Sequence, residues 1–116
     1  MKTIIAGGRD ITDYQILLAA VEASDLECNI TEVVSGCARG VDELGERWSL
    51  KTGRGIATLF PAEWRTQGPA AGPIRNRKMA EYADALIAIW DGKSKGTKNM
   101  IETATKLGLT VYVHRI

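Results

Sequence analysis

The sequence predicts an α/β fold of three layers, with a parallel five-stranded sheet of order 3-2-1-4-5 between helices on both faces. Three observations predict it. Short apolar runs alternate with helical-period segments along the whole chain, the signature of a parallel sheet joined by helical crossovers. The apolar runs end at glycine, proline or aspartate turns, which places loops along one edge. Right-handed crossovers then favour the order 3-2-1-4-5.

Thr3 to Ala6 is the first strand, and Gly7-Gly8 turns the chain out of it. Thr12 with Gln15 three residues later fits a capping box. Ile16, Leu17, Ala20 and Val21 follow at helical spacing, so the first helix runs to about Ala23. Thr31 to Ser35 is the second strand, closed by Gly36. The second helix spans Val41 to Thr52, carries Leu44, Trp48 and Leu50, and stops at Gly53. Gly55 to Phe60 is the third strand. Pro61 to Gly72 has two prolines, two glycines and no clear period, and reads as a long loop of the kind that carries function. Pro73 starts a third helix that reaches Tyr82. Ala85 to Trp90 is the most apolar strand and is expected at the centre. Asp91 to Gly96 is a glycine-lysine loop, Thr97 to Leu107 a fourth helix, and Leu109 to His114 the last strand.

The 116 residues fit one domain, 1–116, with 45% apolar and 25% charged residues, an ordinary soluble profile. So small a core leaves a small margin of stability, and a homodimer or higher homo-oligomer is expected. The net charge of +1 does not suit wholesale wrapping of nucleic acid. Two cysteines, Cys28 and Cys37, make no disulfide framework and read as free thiols. No run approaches the ~18 apolar residues of a membrane span, and the opening residues lack a signal-peptide pattern. The expected location is cytoplasmic, in the host cytoplasm for a phage-encoded protein.

Ligands of open α/β sheets bind beyond the carboxyl ends of the strands, near the switch in strand order. Here those loops hold Gly7, Gly8, Arg9 and Asp10 after the first strand, and Ser35, Gly36, Cys37, Ala38, Arg39, Gly40 and Asp42 after the second. The long third loop adds Trp64. Asp91, Gly92, Lys93, Ser94, Lys95, Gly96 and Thr97 follow the fourth strand. Glycines let backbone N–H groups approach an anion, helix N-termini add partial positive charge, and the cations supply full charges. Together they ask for a phosphate. Gly7-Gly8 and Gly36 alone fit tight turns equally well. The run from Gly92 to Lys98 is more telling, with three lysines around two glycines and a helix-capping Thr97. Its order is not that of a Walker A loop. Trp64 is placed either to stack on a base or to pack its loop. Arg75, Arg77 and Lys78 crowd the start of the third helix against its dipole, and Arg75 and Lys78 lie one turn apart. Asn76 stands between them. Asp42 and Asp91 suit a ribose, although Asp42 also suits the first turn of its helix. Cys37 is expected as a small buried thiol, and Trp48, Trp90 and His114 as structural residues. No metal-ligand spacing and no cofactor motif is present.

The strings G-G-R-D, V-S-G-C-A-R-G-V-D, F-P-A-E-W, A-A-G-P-I-R-N-R-K-M-A and W-D-G-K-S-K-G-T-K-N-M-I resemble the YspA-like branch of the SLOG superfamily, from Ile4 to about Val113. The resemblance implies a Rossmann-like domain, a nucleotide-type ligand and often a dimer. Such proteins are common in bacteria and their phages, which admits a counter-immunity role. The related Lonely Guy phosphoribohydrolases use a catalytic arginine and glutamate. Arg75 matches the arginine, with Met79 four residues on and Ala83-Asp84-Ala85 following. Asn76 replaces the neighbouring lysine. Gly96-Thr97 matches the G-T, but the glutamate position is Met100. Glu102, two residues on, is turned about 200° away on a helix. Phosphate binding should survive that change and glycosidic hydrolysis should not.

The expectation is therefore a non-catalytic binder, a sensor or sequestering protein for a phosphorylated nucleotide-derived small molecule. The alternatives are an N-glycosidic hydrolase of nucleoside monophosphates and a single-stranded DNA-binding module like that of DprA, the second disfavoured by charge.

Overall fold

The computed structural model describes residues 1–116. Its strands are β1 (Lys2–Gly7), β2 (Glu32–Ser35), β3 (Thr58–Leu59), β4 (Ala85–Trp90) and β5 (Thr110–Arg115). Its helices are α1 (Tyr14–Ser24), α2 (Val41–Lys51), α3 (Trp64–Gln67), α4 (Ala71–Tyr82) and α5 (Lys95–Lys106). The strands form one sheet of order β3-β2-β1-β4-β5, and every pairing is parallel. This is the Rossmann-like order expected from the alternation of elements.

Alternation along each strand sorts the core into two halves. Ile5, Val33, Ile87 and Ile89 face one way, against Leu17, Ala20 and Val21 of α1 and Val41, Leu44 and Trp48 of α2. Ile4, Ala6, Val34, Leu86 and Ala88 face the other way, against Met79 and Ala80 of α4 and Met100 and Ala104 of α5. β1 takes the central place and β4 lies beside it, so both are covered on two faces. That explains their continuous apolar runs. None of the helices is long and apolar enough to cross a membrane.

Several boundaries differ from the sequence expectation, each for a local reason. Helix α1 is capped by Asp13 rather than Thr12, because the Asp13 carboxylate accepts from the Gln15 amide at 2.9 Å. A short 3-10 turn, Glu27–Asn29, follows α1. Only Thr58–Leu59 of the third apolar run pairs, with Val34 and Ser35, since β2 ends there. The segment expected as a loop from Pro61 to Gly72 folds into α3, a 3-10 turn at Gly68–Ala70 and the first residues of α4. Helix α4 thus begins at Ala71, two residues before Pro73, where a missing N–H costs nothing. Arg75, Arg77 and Lys78 then follow the first turn rather than crowd it. Helix α5 is capped by Ser94, whose hydroxyl accepts from the Thr97 amide. Thr97 is the capped residue and not the cap.

Candidate functional site

The loops after β1, β2 and β4 and the start of α4 enclose a cavity of about 690 Å³ at the carboxyl edge of the sheet. It sits where β1, the point of reversal in strand order, meets β4. Of the residues expected at a ligand site, Gly7, Gly8, Arg9, Asp42, Trp64, Arg75, Asn76, Asp91, Lys93, Ser94, Lys95, Gly96 and Thr97 line it. Gly36 and Arg39 line an adjoining hollow of about 400 Å³. Ser35, Lys78 and Gly92 line neither. Ser35 is fully buried and holds the turn instead, donating to Glu46 at 2.6 Å and accepting from the Cys37 amide. Lys78 is exposed on α4, whose Arg75, Asn76 and Met79 line the cavity. Gly92 supplies a left-handed turn beside Arg115.

Two glycines make the close packing here possible. Gly40 has φ of 78°, and a Cβ there would come within 2.6 Å of the Arg9 backbone. The first and second loops can therefore touch, and the Val41 amide donates to the Gly8 carbonyl at 3.2 Å. At Gly36 a Cβ would meet the Arg75 guanidinium and would lie 2.9 Å from Asp42 Oδ2. Its absence lets a cation from α4 and a carboxyl from α2 converge over the second loop.

Arg75 is half-buried. Its Nη1 donates to the Gly36 carbonyl and its Nε donates to Asn76 Oδ1 at 3.0 Å. Asn76 in turn donates to Asn99 Oδ1 at 2.9 Å, so α4 and α5 are clamped across the cavity floor. Burial pushes the Arg75 pKa down, and the charge of Asp42 opposes the shift. Asp42 is only 5% exposed. One carboxylate oxygen accepts from the Ala38 amide at 3.1 Å, and the carboxyl lines the cavity. Burial raises its pKa to about 6, against the Ala38 hydrogen bond and the Arg75 charge. A buried carboxyl that titrates near neutrality is a recurrent mark of functional sites.

The glycine-lysine loop is built differently from the expectation. Asp91 accepts from the Lys93 and Ser94 amides at 2.8 and 2.9 Å, and these bonds hold its pKa below the usual carboxylate range. Those amides, and that of Thr97, are therefore engaged within the chain. The free first-turn donors of α5 are the Lys95 and Gly96 amides. The Trp90 indole donates to the Ser94 carbonyl at 3.1 Å and braces this loop. Trp64 opens α3, is 48% exposed, and lies with its ring centroid 5.8 Å from the Arg9 guanidinium carbon.

Asp10, in the loop expected at the ligand edge, lines it too, whereas sequence reasoning missed Asn99, Ile11, Pro69 and Gly72 among the lining residues. Asn99 had a signal, since it lies four residues after Lys95 on one helix face. Met100 is 1% exposed and lines the cavity, whereas Glu102 is exposed and does not. Glu63 is likewise exposed and away from both hollows. Cys37, expected as buried, is exposed with φ of 63°. Partial desolvation and the nearby Glu46 and Asp42 push its thiol pKa up. His114 pairs with Tyr112 at 3.3 Å on β5, and Trp48 is core.

Comparison with known proteins supports the reading of the motifs. Residues 1–66 match the family model YAcAr, described as the YspA, cpYpsA-related SLOG family. The chain is also 36% identical over 84 residues to Gene 61 protein of Mycobacterium phage D29, a match covering 68% of this chain and 67% of that protein.

Proposed function

The chain belongs to the YspA, cpYpsA-related SLOG family, and we propose that it binds a phosphorylated, nucleotide-derived small molecule as a sensor or sequestering protein. The observation that carries this reading is the cavity over the carboxyl ends of β1 and β4, which Arg9, Arg75, Lys93 and Lys95 line with no salt-bridge partner. Half-buried or clustered cations without counter-ions favour an anionic ligand. The Lys95 and Gly96 amides at the start of α5 suit its phosphate. Asp42, with one oxygen free of protein donors, suits a sugar hydroxyl or a base N–H. Trp64 supplies an aromatic wall. Kinship with a phage protein favours a phage setting, in which removal of a host signalling nucleotide is the natural use. The chain acts in the cytoplasm on this reading, as a homodimer or higher homo-oligomer, which light scattering after gel filtration tests.

Mass spectrometry of small molecules released on denaturing the purified protein tests the ligand class, backed by a thermal-shift screen of nucleotides. An intact nucleotide supports the reading; silence in both assays sinks it. Arg75→Ala should weaken nucleotide binding by about 1–3 kcal/mol, the range for a charge-assisted hydrogen bond. Unchanged affinity by calorimetry removes Arg75 from the site.

One observation favours a second reading, hydrolysis of an N-glycosidic bond. Asp42 is a carboxyl in the cavity with a pKa near that of a general acid or base. Steady release of free base from nucleoside monophosphates, abolished in Asp42→Asn, would establish it.

A further inference from the structure

The larger cavity and the adjoining hollow are two compartments of one site. Arg9, Ala38, Trp64 and Arg75 line both, so the Arg9–Trp64 pair forms a partial wall between them. Their charges differ. The larger compartment sets Arg9, Arg75, Lys93 and Lys95 against three carboxylates, Asp10, Asp42 and Asp91. The smaller one is lined by three arginines, Arg9, Arg39 and Arg75, and by no carboxylate.

Neither Arg9 nor Arg75 has a salt-bridge partner. Arg39 has Asp10 at 3.4 Å, but both side chains stand in solvent, 70% and 94% exposed. Such a pair holds weakly and yields to a stronger anion. The Gly36 carbonyl and Asn76 Oδ1 engage Nη1 and Nε of Arg75, which leaves Nη2 for a ligand. Asp42 offsets part of the charge of Arg75 and Arg9, but no carboxylate enters the hollow itself, and planar guanidinium groups there suit a phosphate or carboxylate.

We infer that the ligand carries two separated anionic groups, one in each compartment, with its nucleoside portion passing the Arg9–Trp64 wall. This deepens the nucleotide-binding reading and rests on it. A mononucleotide with its phosphate at the start of α5 would leave the arginine hollow without an anion. The class indicated is a nucleotide with a second phosphate beyond its sugar, either a nucleoside bisphosphate or a 5′-phosphorylated dinucleotide.

Calorimetry tests this with nucleoside 5′-monophosphates, 5′-diphosphates, 3′,5′-bisphosphates and 5′-phosphorylated dinucleotides, each in the four base series. A probe with separated anions should bind at least tenfold more tightly than the matching monophosphate, and more tightly than the diphosphate, whose charges adjoin. Whether the bisphosphate or the dinucleotide shows the gain identifies the source of the second anion. Arg39→Ala, an exposed change outside the core, should bring the ratio of two-anion to monophosphate affinity close to one. Lys95→Ala should weaken both probes and keep the ratio. Monophosphate binding with a gain below tenfold, or a gain that survives Arg39→Ala, overturns the inference and leaves the nucleotide reading standing. Failure of every probe to bind overturns the nucleotide reading, and this inference with it.

Discussion

At the amino end of the sheet charged side chains are met by partners, and at the carboxyl end four cations stand without a salt bridge. Glu32 accepts from Thr58 at 2.6 Å and from Tyr82, and these bonds, Thr58 first, hold its pKa below the usual range. Lys2 lies over the Tyr82 ring at 4.2 Å, and the Lys2 amide donates to Asp84 at 2.8 Å. Arg54 donates to the Ile30 and Glu27 carbonyls, both at 2.9 Å. At the opposite end Arg9, Arg75, Lys93 and Lys95 form no salt bridge, and Asp42, whose charge Arg75 and Arg9 feel, is buried at a cost. The amino end is finished by folding. The carboxyl end keeps charge in reserve on close-packed loops, which is how a binding site differs from a scaffold.

The largest effect expected tests whether those loops are rigid. Gly40→Ala introduces a Cβ at a positive φ and against the Arg9 backbone. It should destabilise the fold by about 3 kcal/mol, read by urea denaturation. A loss below about 1 kcal/mol would mean that the second loop is pliable, and the contrast between the ends would weaken.

The next effect follows from Asp42. Its folded pKa of about 6 lies above the ordinary aspartate value of 3.8, so the folded state takes up a proton that the unfolded chain does not. The burial penalty is fully present above pH 6 and is relieved as pH falls through 6 towards 4. Relative to Asp42→Asn, the wild-type protein should gain about 2 kcal/mol of stability between pH 7 and pH 4. Equal pH profiles for the two proteins would show that Asp42 is not desolvated. Binding that uses the charged carboxylate should tighten over the same interval as pH rises.

The smallest effect sharpens the other side of the comparison. Glu32→Gln keeps the shape but removes the charge from two hydrogen bonds, and should cost about 1 kcal/mol of stability. Nucleotide affinity should not change, since Glu32 lies at the far end of the sheet. A change in affinity would couple the two ends.

The fold was legible because its signals are local. The apolar runs of β1, β2 and β4, with their glycine exits, stand in the sequence much as they stand in the sheet. The region from Pro61 to Gly72 was not, because prolines and glycines break the hydrophobic period even where short helical turns form. Caps were misplaced where two candidates compete: Thr12 with Asp13, and Thr97 with Ser94. Most cavity residues were legible from strand order alone, since every one of those loops leaves the same edge. Asn99, the engaged amides of Lys93 and Ser94, and the arginine hollow depend on which way side chains turn. That is settled by packing between segments distant in sequence, as Arg75 against Gly36 shows.

The three tryptophans stand in three different surroundings. Trp48 is sealed in the core, Trp90 is tied to the Ser94 carbonyl, and Trp64 is half open to water beside Arg9. The protein therefore carries its own optical reporter. Light emitted at the long-wavelength edge comes mainly from Trp64, and a molecule that displaces water from that indole will shift the edge to the blue while the core emission stays fixed. Occupancy of the site can be followed without a label, with the Trp64→Phe protein, which keeps only the Trp48 and Trp90 emission, as the control.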